Sequence, residues 1–160
     1  MQTDKLDFLM KKFPFHKIVF SEKRDYAEII NPFNEENIIV DYIPEDEFTP
    51  FLCRFSYQHR HFKSEEYVVE YINNIMSKNI YAIEFFENGE NRFGWDITLQ
   101  ELSTLSYEYL EQRSGYYGVT KLKDVVDSFK VRGWDPCNNF DAIFVEDECG
   151  KTTLLKLKEI

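Results

Sequence analysis

Apolar residues in this chain recur at helical spacing in some stretches and alternate with polar ones in others, and the two periods divide it into elements. Leu6, Leu9, Met10 and Phe13 share one helical face. Thr3 is placed to cap that helix, Asp4 and Asp7 suit its positive end, Lys11 and Lys12 its negative end, and Pro14 stops it. Residues 15–21 and 25–31 read as a hairpin across Glu22, Lys23 and Arg24. A polar loop from Pro32 to Asn37 leads to a strand at 38–43, rich in β-branched side chains. After a turn at Pro44, Glu45, Asp46 and Glu47, residues 48–62 read as one long fourth strand.

Helical spacing returns at 64–77, with Ser64 as N-cap and Tyr67, Val68, Tyr71, Ile72, Ile75 and Met76 as the apolar stripe. Asn88-Gly89 joins strands at 80–87 and 91–97, because both residues tolerate positive φ. Thr98 and Glu101 form a capping box. It opens a helix carrying Leu99, Leu102, Leu105, Tyr109 and Leu110 that closes near Gly115. The spacing of Leu122, Val125, Val126 and Phe129 predicts a further helix from Thr120 to Gly133. Strands at about 140–146 and 152–159 flank Glu148, Cys149, Gly150 and Lys151. Sequential hairpins with interspersed helices predict an α+β fold: a largely antiparallel sheet packed with three to four helices. With no repeat, low-complexity tract or linker, the expectation is a single domain over 1–160.

Composition adds three constraints. Aromatic residues make up 17% of the chain, enough for a firm core, with exposure of some rings as binding anchors as the competing reading. No apolar run is long enough to span a membrane, and the N-terminal sequence lacks a secretory pattern. Three cysteines, Cys53, Cys137 and Cys149, suit a reducing cytoplasm better than a disulfide framework. The formal net charge is −10, which disfavours binding to nucleic acid or to an anionic membrane.

That charge is unevenly spread. Between Asp25 and Cys53 stand Asp25, Glu28, Glu35, Glu36, Asp41, Glu45, Asp46 and Glu47, with no Lys or Arg. Because the acids interleave with strand-forming residues, they predict an ordered face that attracts a basic partner; the competing reading is a face that only keeps the chain soluble.

Candidate chemistry is sparse. His59 and His61, two apart in a strand, share a face and can ligate zinc given further ligands; Cys53 would lie on that same face of a continuous strand. The alternatives are that they extend the core-facing row of Phe51, Cys53, Phe55 and Tyr57, or that they contact a partner. Glu84 interrupts the apolar run from Ile80 to Phe86; His59 or Arg60 could partner it, structurally or as an acid–base pair, or it faces solvent on an open sheet. Gly115, Tyr116, Tyr117 and Gly118 lack the lysine of a phosphate loop. No cofactor motif is found.

Two segments, Tyr57-Gln58-His59-Arg60-His61-Phe62 and Tyr81-Ala82-Ile83-Glu84-Phe85-Phe86-Glu87-Asn88-Gly89 with the helix between them, resemble small acidic immunity proteins encoded beside polymorphic or contact-dependent bacterial toxins. The resemblance implies a cytoplasmic, non-enzymatic inhibitor of a cognate basic toxin, with a nuclease as the fitting case. Charge then nominates Glu35, Glu36, Asp41, Glu45, Asp46 and Glu47 as the steering residues and Tyr42 as an anchor. The alternative function is a small metal-dependent or acid–base enzyme centred on His59, His61 and Glu84. A monomer or a small homo-oligomer fits either reading.

Overall fold

The computed structural model describes residues 5–157. The chain is α+β and builds two antiparallel sheets of five strands each. They belong to two compact units. The first is drawn from Met1–Asn79 and Gly133–Pro136, the second from Ile80–Arg132 and Cys137–Ile160.

The first unit is a meander in strand order: β1 (Ile18–Phe20), β2 (Tyr26–Ile29), β3 (Ile38–Tyr42), β4 (Phe51–Phe55) and β5 (Gln58–Phe62). Helix α1 (Phe8–Lys12) and helix α2 (Glu65–Met76) belong with it, α2 packing on β4 and β5. Period-two alternation decides which side of the sheet meets the helices. Ala27, Ile29, Ile38, Val40, Phe51, Cys53 and Phe55 are buried, as are Leu6 and Leu9 before and in α1 and Val68, Tyr71, Ile72 and Ile75 on α2. Tyr67 falls off the buried stripe, and Ser64 stands at the N-cap of α2 without a side-chain capping bond. The predicted first helix is shorter than expected and its proposed cap, Thr3 with Asp4, lies outside the described residues.

The expected long strand over 48–62 is two strands. Ser56 takes a left-handed conformation (φ 58°) and turns the chain back, so that Phe55 pairs with Gln58. No Gly, Asn or Pro marks this turn, which is why the pattern reads through it. Asn31, buried at the end of β2, organises the 32–37 loop. Its amide nitrogen reaches Trp134 O at 2.8 Å, Asn34 Oδ1 at 2.9 Å and Glu36 O at 3.0 Å, while its carbonyl oxygen accepts from Phe33 N at 2.8 Å. Asn34 Nδ2 also donates to Trp134 O, and His16 packs its ring toward the Trp134 indole.

The second sheet runs β10-β9-β8-β6-β7, with β6 (Ile80–Glu87), β7 (Glu90–Thr98), β8 (Ser128–Arg132), β9 (Phe140–Glu146) and β10 (Thr152–Leu157). Asn88 (φ 51°) and Gly89 (φ 82°) make the expected hairpin turn. The Thr98–Glu101 capping box is present, but it opens only α3 (Leu99–Ser103). The chain then breaks and restarts at Ser106, whose side chain caps α4 (Tyr107–Ser114), so the single helix expected from Leu99 to Gly115 is two. The helix expected from Thr120 to Gly133 does not form. Leu122–Asp124 is a 3-10 turn, and Ser128–Arg132 is β8, inserted between β6 and β9. There Phe129 and Val131 face the core while Ser128, Lys130 and Arg132 alternate with them, and the ladder overrides the helical spacing. Tyr81, Ile83, Phe85, Trp95, Ile97, Tyr107, Leu110, Leu122, Val126, Phe129, Val131 and Ala142 form this unit's core.

Candidate functional site

The eight acidic residues between Asp25 and Cys53 all belong to the first unit. In an antiparallel ladder, residues directly opposite share a face. The register aligns Glu28, Ile39, Arg54 and His59 in one row and Tyr26, Asp41, Leu52 and His61 in the next, all on the side away from the buried residues. Asp41 sits here and is matched by its own chain, since Arg54 Nη2 donates to Asp41 Oδ2 at 2.8 Å. Glu28 accepts from the Asn37 amide at 2.7 Å. Tyr26, between them, has its phenol pKa raised above the ordinary value by partial burial and by the Glu28 and Asp41 carboxylates, against the opposing pull of Arg54.

Asp25, just before β2, accepts from Ser21 Oγ at 2.9 Å, and the remaining acids lie on two loops at opposite ends of β3. Glu35 and Glu36 follow Asn31, and Glu45, Asp46 and Glu47 follow Tyr42. The five residues of β3 set the loop ends, Asn37 and Ile43, roughly 20 Å apart along the strand. Asp46 Oδ2 lies 3.5 Å from His61 Nδ1. Glu35, Glu36, Glu45 and Glu47 form no ion pair among the described residues, and Glu35, Glu45 and Glu47 are exposed. Each loop also carries a projecting ring that charge alone did not nominate: Phe33 is 57% exposed and Phe48 is 84% exposed. The available signal was a lone apolar residue inside a polar turn. Tyr42 is half-buried, tilted against Phe51 with ring centroids 5.4 Å apart, and Lys5 Nζ stands 5.8 Å from its ring centre.

The histidines come together but not with Cys53. Their ring centroids are 5.6 Å apart. The turn at Ser56 places His59 opposite Arg54 and His61 opposite Leu52, whereas Cys53 is opposite Arg60 and buried on the other face. The expectation of a shared Cys53–His face, and of histidines extending the core row, is therefore corrected by one unmarked turn. Among the described residues, no group of three His, Cys, Asp or Glu side chains is placed to hold a metal ion.

Glu84 belongs to the second unit. It is 1% exposed and stands directly opposite Lys130 on β8, whose ammonium lies 4.9 Å from the Phe86 ring centre. The inserted strand thus brings a cationic residue beside it that the sequence, read as helix there, could not reveal.

Among the described residues, no helix is long and apolar enough to cross a membrane. The chain matches no protein-family model, no curated protein and no solved structure.

Proposed function

We propose that the protein is an immunity protein of a bacterial polymorphic or contact-dependent toxin system, which binds a cognate basic toxin in the cytoplasm and neutralises it. The observation that carries this reading is the Pro44–Phe48 turn. Three consecutive carboxylates, of which Glu45 and Glu47 have no internal cation, adjoin a phenylalanine that is 84% exposed. Exposed charge accelerates encounter with an oppositely charged groove, and an aromatic side chain excludes water once docked. A nuclease, whose groove must be positive to hold phosphate, suits such a turn. Glu35, Glu36 and Phe33 repeat the combination on the second loop, and Asp41, already held by Arg54, contributes less to steering than its strand position suggested.

The test combines rescue and kinetics. Cells expressing the toxin domain encoded beside this chain should survive with the wild-type protein and die when Glu45, Asp46 and Glu47 are all changed to Lys. The purified triple variant should associate about 10- to 1,000-fold more slowly at low salt, with the difference shrinking as salt rises. Full rescue, with unchanged on-rate and salt dependence, removes the turn from the mechanism.

A further inference from the structure

An open groove of about 550 Å3 in the first unit is lined by Lys5, Tyr42, Phe51, Ser64, Glu65 and Glu66. Its floor is aromatic: the Tyr42 ring tilts against Phe51, and Phe8 meets Phe51 edge-on at 5.8 Å. Two carboxylates, Glu65 and Glu66, open helix α2 at its rim and form no ion pair among the described residues. Ser64 beside them makes no capping bond, which leaves its hydroxyl available to a donor. The helix end contributes about half a positive charge and the Lys5 ammonium one more, so the two carboxylates leave the groove slightly negative with Lys5 in place and more so once another cation displaces it.

The groove already shows what it accepts. Lys5 Nζ lies 5.8 Å from the centre of the Tyr42 ring, within cation–π range. Lys5 is itself exposed, so the ammonium remains largely hydrated there and is weakly held. A guanidinium suits the site better than an ammonium. It is planar, less strongly hydrated, stacks on an aromatic face, and still offers edge N–H groups to carboxylates and a hydroxyl.

We infer that this groove receives an arginine side chain of the basic partner, with Lys5 holding its place on the Tyr42 ring in the free protein. The inference rests on the proposed reading of the chain as a binder of a cationic protein, and it adds a specific seat to the steering loops. Tyr42, nominated from sequence as an anchor, becomes the receptor face for an incoming cation.

The probe is the blocked peptide acetyl-Gly-Arg-Gly-amide, titrated into the full chain by NMR beside its lysine counterpart. Arginine protons should move upfield under the Tyr42 ring current, and groove resonances should shift together. Tyr42→Leu, which keeps an apolar side chain against Phe51 and changes no charge, should weaken binding about fivefold. Glu65→Gln with Glu66→Gln should weaken it by about the same factor, Lys5→Ala should tighten it about two- to fivefold, and Glu148→Gln in the second unit should leave it unchanged. Thermal melts of each variant identify any loss through unfolding, and Lys5→Ala, a gain, cannot arise that way. Equal affinities for the wild type, Tyr42→Leu and the double glutamine variant, or the absence of groove shifts, overturn the inference. In the rescue assay, groove variants that protect as well as wild type while the Glu45, Asp46 and Glu47 reversal fails overturn the groove alone. Failure of the wild type itself to protect overturns the reading beneath it, and protection by both sets removes groove and turn alike from the mechanism.

Discussion

Replacing Asn31 with Asp exchanges one heavy atom of the side chain, nitrogen for oxygen, and should markedly destabilise the first unit. Asn31 is 5% exposed, and its amide nitrogen faces three oxygens, on Trp134, Glu36 and Asn34. A carboxylate keeps the bond from Phe33 N but offers no hydrogen to those three, and sets a negative charge against them. Trp134 O retains the 3.2 Å bond from Asn34, and the half-buried Glu36 carbonyl admits water, so the loss falls short of three fully orphaned acceptors. With about 1–3 kcal/mol for each unsatisfied buried group, Asn31→Ala should cost about 2–3 kcal/mol, and Asn31→Asp more at neutral pH. The aspartate variant carries a further signature. Burial among oxygens raises the introduced carboxyl's folded pKa above its unfolded value of about 3.9, so its charge penalty is absent below that pH and grows to its full size as pH rises through the folded pKa. Urea titrations at neutral and mildly acidic pH, followed by Trp134 fluorescence in a Trp95→Phe background, measure both effects. Stability within about 0.5 kcal/mol of wild type at neutral pH, or a deficit that does not shrink on acidification, refutes the reasoning.

Two other expectations concern single groups. The Tyr107 phenol is pushed up to about 12, first by burial and then by donation to Glu111 at 2.6 Å, and it accepts from Lys123 N at 3.0 Å. A raised phenol pKa favours the fold fully below the unfolded value near 10, and that share is lost as pH climbs through about 12. Tyr107→Phe should therefore cost about 2 kcal/mol at neutral pH, narrow its deficit over that alkaline window, and remove one phenolate step near pH 12 from an ultraviolet titration. Thiol labelling should modify Cys137 and Cys149, both exposed, in the native protein and reach buried Cys53 only on unfolding. Rapid reaction of all three in native buffer contradicts the burial of β4.

Elements whose sequence carries its own local chemistry were legible. The Asn88-Gly89 turn, the Thr98–Glu101 box, the stripe of α2 and the hairpin of β9 and β10 all rest on contacts between near neighbours. Failures came where a distant partner decides. Leu122, Val125, Val126 and Phe129 satisfy a helical period, yet Phe129 and Val131 satisfy a strand period as well, and only the vacancy between β6 and β9 selects it. Ser56 turns without any residue that favours positive φ, and that one turn moved His59 and His61 to the opposite face from Cys53. The division into two sheets was illegible for a similar reason, because no composition change marks residue 80. At the candidate site, the unpaired charge of Glu35, Glu45 and Glu47 could be anticipated, whereas Phe33, inside a stretch read as a polar loop, and Phe48, read as the start of a strand, were not singled out, and the Arg54 bond to Asp41 needed the register of β3 and β4.

The tetrapeptide Gly133–Pro136 has a consequence for how this gene can be cut. It lies between β8 and β9 in the chain yet belongs to the first unit, where Asn31 and Asn34 clasp the Trp134 carbonyl and Lys78 holds Asp135 at 3.1 Å. A recombination breakpoint at residue 79 would deliver a front half without its tryptophan plug, and would leave the back half carrying an indole with no socket. Neither piece then holds a complete first unit, so a cut that keeps both units intact cannot be made at a single position in the chain.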